Sequence, residues 1–124
     1  MSRLVIIIDD SETCAETLQI ALESIVGIEV RAVRNPQSAI AVINGGGHEI
    51  AAIVTDLHLK QDDGLDLIRQ LRQEPRLART PVILISGDSD PQISQRALAG
   101  GADVFFAKPY SPAAVRRKLE ELIC

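Results

Sequence analysis

The chain has 124 residues, of which 46% are hydrophobic and 24% charged, so it is long enough for one domain with a sizeable core. Thirteen basic residues against 17 acidic ones leave a net charge of −4, which argues against binding DNA or RNA through general electrostatics. The two cysteines, Cys14 and Cys124, match no disulfide framework or zinc motif, and no apolar run suits a signal peptide or a membrane span, which excludes the secreted and membrane classes.

The first half of the chain contains two predicted β-strands, each followed by a predicted helix. Leu4–Ile8 is apolar without alternation, as in a strand that is covered on both faces of a parallel sheet. Ser11 can cap the helix that follows, and Gly27 is predicted to end it. Ile28–Val33 alternates apolar and charged residues, which indicates an edge strand, and Asn35–Pro36 begins the second helix with a capping side chain and a proline.

The second half of the chain repeats this alternation three times. Two uniformly apolar segments and one short segment with both phenylalanines are predicted as strands: Ile50–Val54, Val82–Ile85 and Val104–Ala107. The helices after them are predicted to begin at about Gly64, at Asp90–Pro91 and at Ser111–Pro112, and Pro75 is expected to end the first of the three.

Strand and helix therefore alternate five times along the chain. Such an order requires parallel strands joined by helical crossovers, with helices on both faces of one open sheet. No linker or low-complexity tract marks a second domain. We predict an α/β fold with a doubly wound five-stranded parallel sheet and five helices, forming one cytoplasmic domain over residues 1–124.

Polar residues stand at the carboxyl ends of four predicted strands. Asp9 and Asp10 follow the first strand, Asp56 follows the third, Ser86 the fourth and Lys108 the fifth. Parallel sheets bind ligands beyond the carboxyl ends of their strands. We therefore expect three carboxylates, a hydroxyl and an ammonium group to converge at one edge of the sheet.

This cluster has the composition of a phosphoryl-transfer site. Three neighbouring carboxylates repel one another, and a hard divalent cation such as Mg²⁺ relieves that repulsion. Lys108 offers a second positive charge for a bound anion, and Asp56 is the candidate nucleophile that becomes an aspartyl phosphate. Taken singly, each residue has a common structural explanation as a cap, a turn residue or a surface charge. The prediction depends on all of them falling at the same end of parallel strands.

The order of these residues along the chain also resembles the motifs of one family. The order is Asp9-Asp10, Asp56 followed by Asp63-Gly64, Ser86-Gly87 and Lys108-Pro109. Over essentially its whole length the chain is similar to the receiver (CheY-like) domain of two-component response regulators. The resemblance implies a flavodoxin-like fold with the five strands in the order 2-1-3-4-5.

The resemblance also implies a role for each site residue. Asp56 would be the phosphoacceptor, Lys108 would contact the phosphoryl oxygens, and Ser86 would be the switch hydroxyl. Phe105 would be the switch aromatic, whereas Phe106 is expected to point to the other face of the strand, into the core. The implied Mg²⁺ ligands are the side chains of Asp9, Asp10 and Asp56 and the backbone carbonyl of His58. The family pattern further implies a cis Lys108–Pro109 bond.

Two positions differ from the common family pattern. Lys60 stands four residues after Asp56, where many members have proline, so that loop is expected to be less rigid. His58 places an imidazole near the phosphoryl group, where it would either position or shield the attacking water or serve only through its carbonyl. Asp88, two residues after Ser86, is expected to border the path of that water.

The resemblance implies a signalling switch rather than a metabolic enzyme, with only self-catalysed phosphotransfer and autodephosphorylation. The expected partners are a histidine kinase or phosphotransfer protein and an output protein or a missing output domain, with no direct nucleic acid or membrane contact. The sequence does not decide whether the domain forms a homodimer on activation. The surface expected to change comprises the last two helices and the fifth strand, roughly Pro91–Gly100, Val104–Ala107 and Ser111–Leu122.

Two other functions remain as alternatives. A Mg²⁺-dependent phosphohydrolase would share a carboxylate nucleophile and a lysine, but enzymes that resemble the haloacid dehalogenase group have Asp-x-Asp, whereas Asp9 and Asp10 are adjacent here. A docking module that works without phosphorylation would have the same fold, but it would not need the complete set of site residues.

Overall fold

The computed structural model describes residues 3–59, 61–88 and 90–123, and over these residues strands and helices alternate as predicted. The strands are β1 (Arg3–Ile8), β2 (Ile28–Val33), β3 (Glu49–Asp56), β4 (Val82–Ser86) and β5 (Val104–Ala107). The helices are α1 (Glu12–Glu23), α2 (Pro36–Asn44), α3 (Gly64–Gln73), α4 (Ile93–Ala99) and α5 (Pro112–Ile123). A short 3-10 turn, Pro75–Leu77, follows α3.

The strands form one parallel sheet in the order β2-β1-β3-β4-β5. This confirms the flavodoxin-like order 2-1-3-4-5 and the five helices. Because all strands run in the same direction, their carboxyl ends meet at one edge of the sheet, which we call the carboxyl edge. The opposite edge, where the strands begin, is the amino edge.

Each face of the sheet carries its own hydrophobic core. Side chains of α2, α3 and α4 pack on one face and those of α1 and α5 on the other. Successive residues of β1 alternate between the two cores, so Ile6 belongs to the first and Ile7 to the second, and both are almost fully buried. Phe105 and Phe106 divide in the same way, which confirms their opposite orientations. Strands between two cores must be apolar on both sides, and this explains the uniform sequences of β1 and β4.

The predicted helix caps are largely present. The Ser11 hydroxyl accepts a hydrogen bond from the Cys14 N–H at 3.4 Å, and the Asn35 side chain accepts from the Ser38 N–H at 2.8 Å. The helix α1 ends at Glu23, earlier than predicted, and Gly27 instead supplies a φ of +82° in the turn before β2.

The predicted start of α4 is wrong by two residues. The helix begins at Ile93, not at Pro91. The Asp90 carboxylate accepts from the Gln92 N–H at 2.9 Å, and its carbonyl accepts from the Ile93 N–H at 3.0 Å. Asp90 therefore closes a turn onto the residue two positions further on, a conformation that competes with direct helix capping.

Candidate phosphoacceptor site

The carboxyl edge brings together side chains from four strands. Asp9 directly follows β1, Asp56 and Ser86 are the last residues of β3 and β4, and Lys108 directly follows β5. Asp9, Asp56 and Ser86 are buried, and Lys108 is partly buried. Since β3 lies between β1 and β4 in the sheet, Asp56 occupies the centre of this group.

Asp56 is a buried carboxylate with a partner for each oxygen. Its Oδ2 lies 2.5 Å from the Lys108 Nζ, and its Oδ1 accepts a hydrogen bond from the His58 N–H at 3.1 Å. The following residue is fixed to the neighbouring strand, because the Leu57 N–H donates to the Ile85 carbonyl at 2.8 Å. A charged carboxylate at this depth is tolerated because a cation and a backbone donor compensate it.

Lys108 is held by both its side chain and its backbone. Burial by itself lowers the pKa of Lys108, but the hydrogen bond to Asp56 and the charges of Asp56 and Asp9 outweigh that effect and leave the pKa raised. The Lys108 N–H donates to the Ser86 carbonyl at 2.8 Å, and the Lys108–Pro109 bond is cis, as the resemblance implies. Lys108 therefore directs its ammonium group at Asp56.

Asp9 is in an environment that disfavours its negative charge. Burial raises its pKa, and the nearby charges of Asp56 and Asp10 raise it further, against the opposing effects of the Ser11 N–H and of Lys108. The Ser11 N–H donates to Asp9 Oδ1 at 2.8 Å. Asp9 thus lies near enough to Asp56 for their charges to repel each other, and a bound cation would relieve this repulsion.

The predicted group of acids is only partly assembled. Asp10 influences the charge of Asp9 but borders a separate small cleft with Arg34 and Asp62 on the α2 side. Over residues 3–59, 61–88 and 90–123, no three His, Cys, Asp or Glu side chains are gathered closely enough to form a metal site. The oxygen donors suit a hard cation such as Mg²⁺, and both Asp56 oxygens already have protein partners.

Ser86 and Phe105 lie on the same face of the sheet. Leu84 is paired with Phe105 across β4 and β5, and Ser86 follows Leu84 by two residues, so all three side chains point toward α3 and α4. The buried Ser86 hydroxyl accepts a hydrogen bond from the Asp88 N–H at 2.9 Å. Phe105 is only partly buried, which leaves it less constrained than the core residues around it.

Two features of the site were missed by sequence reasoning. His58 Nε2 lies 3.0 Å from Asp88 Oδ2, a contact that no pattern in the sequence predicts. Gly64 is in close contact with the backbone: its N–H donates to the Leu57 carbonyl at 2.8 Å, and a Cβ there would collide with the Asp56 carbonyl. The Asp63-Gly64 motif indicated that Gly64 matters, but it did not indicate the close contact with the Asp56 carbonyl that requires a glycine. The predicted effect of Lys60 lies outside the described residues.

The chain also matches the model of a known protein family. This family is described as "Response regulator receiver domain", and its model matches residues 5–120. The chain belongs to this family. Receiver domains are signalling domains rather than classical enzymes, and response regulators interact with histidine kinases or phosphotransfer proteins. The family therefore implies phosphorylation-based signalling.

Individual relatives differ in length. The chain is 30% identical to the two-component response regulator ORR13 of Oryza sativa subsp. japonica over 115 residues, covering 93% of each. It is 30% identical to the transcriptional regulatory protein GltR of Pseudomonas aeruginosa over 98% of this chain but only 49% of that protein. A solved structure of a putative response regulator from Chloroflexus aurantiacus is 25% identical, with a TM-score of 0.87 and coverage of 99% and 98%. The chain thus matches some relatives almost completely and others over about half their length.

No helix in the described residues is both long enough and apolar enough to span a membrane.

Proposed function

We propose that the chain is a phosphoacceptor receiver domain over residues 1–124 in which Asp56 accepts a phosphoryl group from a phosphohistidine of a histidine kinase or phosphotransfer protein. The observation that carries this proposal is the 2.5 Å contact between the buried Asp56 carboxylate and the Lys108 ammonium group. A carboxylate and a fixed cation at the carboxyl edge of a parallel sheet are the groups that phosphoryl transfer requires.

The proposed chemistry is an exchange of the phosphoryl group between two nucleophiles. An Asp56 oxygen forms a bond to phosphorus while the bond from phosphorus to the donor's imidazole nitrogen breaks, and the electron pair stays on that nitrogen. Lys108 neutralises the charge on the phosphoryl oxygens. In autodephosphorylation water attacks phosphorus, the bond to Asp56 breaks, and the water proton passes to the released phosphate.

Mg²⁺ is the proposed cofactor. The side chains of Asp9, Asp10 and Asp56 and the backbone carbonyl of His58 would hold it. When bound, it supplies positive charge to the transferring phosphoryl group. The raised pKa of Asp9, caused first by burial and then by the charges of Asp56 and Asp10, supports a need for such a cation.

Phosphorylation is proposed to act through Ser86 and Phe105. A phosphoryl group on Asp56 attracts the Ser86 hydroxyl, and the space that this side chain leaves can be filled by Phe105, which shares its face of the sheet. The surface of α4, β5 and α5 changes as a result, and a partner that prefers the changed surface shifts the population toward it.

The proposed partners act at different surfaces. An apolar cleft of about 620 Å³ beside Lys108, bordered by Cys14, Pro109 and Tyr110, is available to the phosphodonor protein. The proposed output acts through a separate protein or a missing output domain, and a homodimer formed on activation is the alternative form of the activated domain. We place the domain in the cytoplasm, without direct binding of nucleic acid or membrane.

Phosphorylation of Asp56 can be tested directly. The protein is incubated with acetyl phosphate and Mg²⁺, and the mass gain and its position are measured by mass spectrometry. We expect one added phosphoryl group, lost in Asp56→Ala and retained in Asp66→Asn, which alters an exposed carboxylate on α3. Modification that persists in Asp56→Ala would place the acceptor elsewhere.

A further inference from the structure

Two loops at the carboxyl edge contact each other through one pair of side chains. His58 lies in the loop between β3 and α3, and Asp88 lies in the loop between β4 and α4. The His58 Nε2 and Asp88 Oδ2 atoms are 3.0 Å apart, although the residues are 30 positions apart in the chain. We call this pair the latch.

Asp88 connects the latch to the switch hydroxyl. Its Oδ1 accepts from the Asp90 N–H at 2.8 Å, and its own N–H donates to the Ser86 Oγ at 2.9 Å. Asp88 therefore uses its backbone N–H and both of its carboxylate oxygens in three separate contacts. The position of Asp88 therefore determines whether its amide reaches Ser86.

His58 connects the latch to the acceptor. Its backbone N–H donates to Asp56 Oδ1 at 3.1 Å, and it pairs with Asp63 in an isolated bridge at the start of α3. The backbone of His58 is therefore held in place, and the loop of Asp88 contacts the imidazole that this backbone carries. Asp56, His58, Asp88 and Ser86 form one continuous chain of contacts.

Ser86 can respond to phosphorylation only by rotating its side chain. Its backbone is held in the sheet, because its carbonyl accepts from the Lys108 N–H at 2.8 Å and the residue pairs with Ala107. If the hydroxyl turns toward Asp56, the Asp88 N–H loses its acceptor. The loop carrying Asp88 must then find a new position, and the latch resists that movement.

We propose that His58 and Asp88 are positioning residues that keep the Ser86 hydroxyl on the Asp88 amide before phosphorylation. The contact between His58 and Asp88 then breaks when the Ser86 hydroxyl turns toward the phosphorylated Asp56. This inference rests on the proposed function of Asp56 and Ser86. The latch is then a contact of the unphosphorylated protein. A variant without the latch populates the conformation with the Ser86 hydroxyl turned toward Asp56 more readily than the wild type does.

The exposure of the His58–Asp88 pair sets how strongly its loss should change the binding of a phosphoryl analogue. The His58 side chain is 67% exposed, and contacts between exposed charged or polar side chains contribute little free energy. Loss of the latch is therefore expected to tighten binding of beryllofluoride, an analogue of the phosphoryl group, by about twofold to fivefold. His58→Ala removes the imidazole, and Asp88→Ser keeps an acceptor for the Asp90 N–H but is too short to reach His58.

The first experiment measures the dissociation constant of beryllofluoride in the presence of Mg²⁺ for the wild type, both single variants and the double variant. We expect each single variant to bind more tightly and the double variant to bind no more tightly than either single variant. His58→Gln, which restores a donor, should return toward the wild type. Arg69→Ala, which removes an exposed ion pair with Asp66 on α3, should leave the constant unchanged. Unchanged or weaker binding in both single variants, with folding intact, overturns the latch.

The second experiment requires neither Mg²⁺ nor beryllofluoride. Hydrogen exchange of the Asp88 amide is followed by NMR, and we expect faster exchange in His58→Ala than in the wild type or His58→Gln. If exchange is the same in all three, His58 does not position Asp88 and the inference fails. If the wild type is not phosphorylated at Asp56, the proposed function fails and the coupling to the switch with it, while the amide still reports whether the latch exists.

Discussion

The two edges of the sheet are built from the same strands, but the ion pair at each edge differs in its burial and in its length. At the amino edge, Arg3 and Glu49 begin neighbouring strands and pair at 3.8 Å, with side chains 38% and 60% exposed. At the carboxyl edge, Asp56 and Lys108 pair at 2.5 Å, and the Asp56 side chain is 6% exposed. Exposed pairs contribute roughly 0–1 kcal/mol, whereas removing one partner of a buried pair leaves an uncompensated charge. The two ion pairs therefore differ in what their disruption is expected to cost, and the pair at the carboxyl edge is the costlier one to break.

The largest expected effect concerns the cation of the carboxyl edge. Lys108→Met removes the positive charge that is proposed to neutralise the phosphoryl oxygens, so phosphorylation by acetyl phosphate should slow on the order of a hundredfold. Arg3→Met, at the amino edge, should leave the rate unchanged. Initial rates of phosphoprotein formation measure both. Equal rates in the wild type and Lys108→Met would remove Lys108 from the proposed chemistry.

The second effect concerns the backbone under the acceptor. A Cβ at position 64 would collide with the Asp56 carbonyl and lie 3.1 Å from the Leu57 Cα, so Gly64→Ala should destabilise the protein by about 1–3 kcal/mol. Gly45→Ala, at the end of α2, would place its Cβ 3.3 Å from the Ala41 carbonyl and should destabilise it less. Urea unfolding gives both free energies. A larger loss for Gly45→Ala would contradict the comparison.

The smallest effect concerns Asp9 and pH. Because the folded protein holds a proton on Asp9 more tightly than the unfolded chain does, ionisation of Asp9 destabilises the fold. This penalty is absent below the ordinary pKa of 3.8, grows as the pH rises through the raised pKa of the folded state, and is complete above it. Without divalent cations, Asp9→Asn should therefore stabilise the protein at neutral pH but not in acid.

Urea unfolding of the wild type and of Asp9→Asn at several pH values, without and with Mg²⁺, checks this prediction. Adding Mg²⁺ should stabilise the wild type more than Asp9→Asn. A stabilisation by Asp9→Asn that persists unchanged in acid would assign its effect to packing rather than to charge.

The elements that the sequence predicted correctly are those with a dense local signal. The uniform apolar run Leu4–Ile8 indicated a strand between two cores, and the alternation of Ile28–Val33 indicated an edge, because burial on one or both faces directly determines residue type. The positions of Asp56 and Lys108 at strand ends then predicted their contact, since parallel strands end at a common edge.

What the sequence did not predict depends on distance and on backbone detail. The His58–Asp88 contact joins two loops whose geometry no periodicity encodes. The start of α4 was missed because Asp90 has two competing local conformations, a helix cap and a turn. That Asp10 also borders a cleft with Arg34 and Asp62 was not predicted, because residues from separate loops form this cleft. Its role as a metal ligand stays a prediction.

The margin of the sheet formed by β2 has a consequence for how this domain meets other molecules. Glu29 and Arg31 are exposed on this strand and contact each other at 3.4 Å. Charged side chains on an outermost strand discourage a foreign strand from adding to it. Copies crowded together, or fused in series with other modules, are therefore expected to associate through helices and loops rather than by extending the sheet at this side.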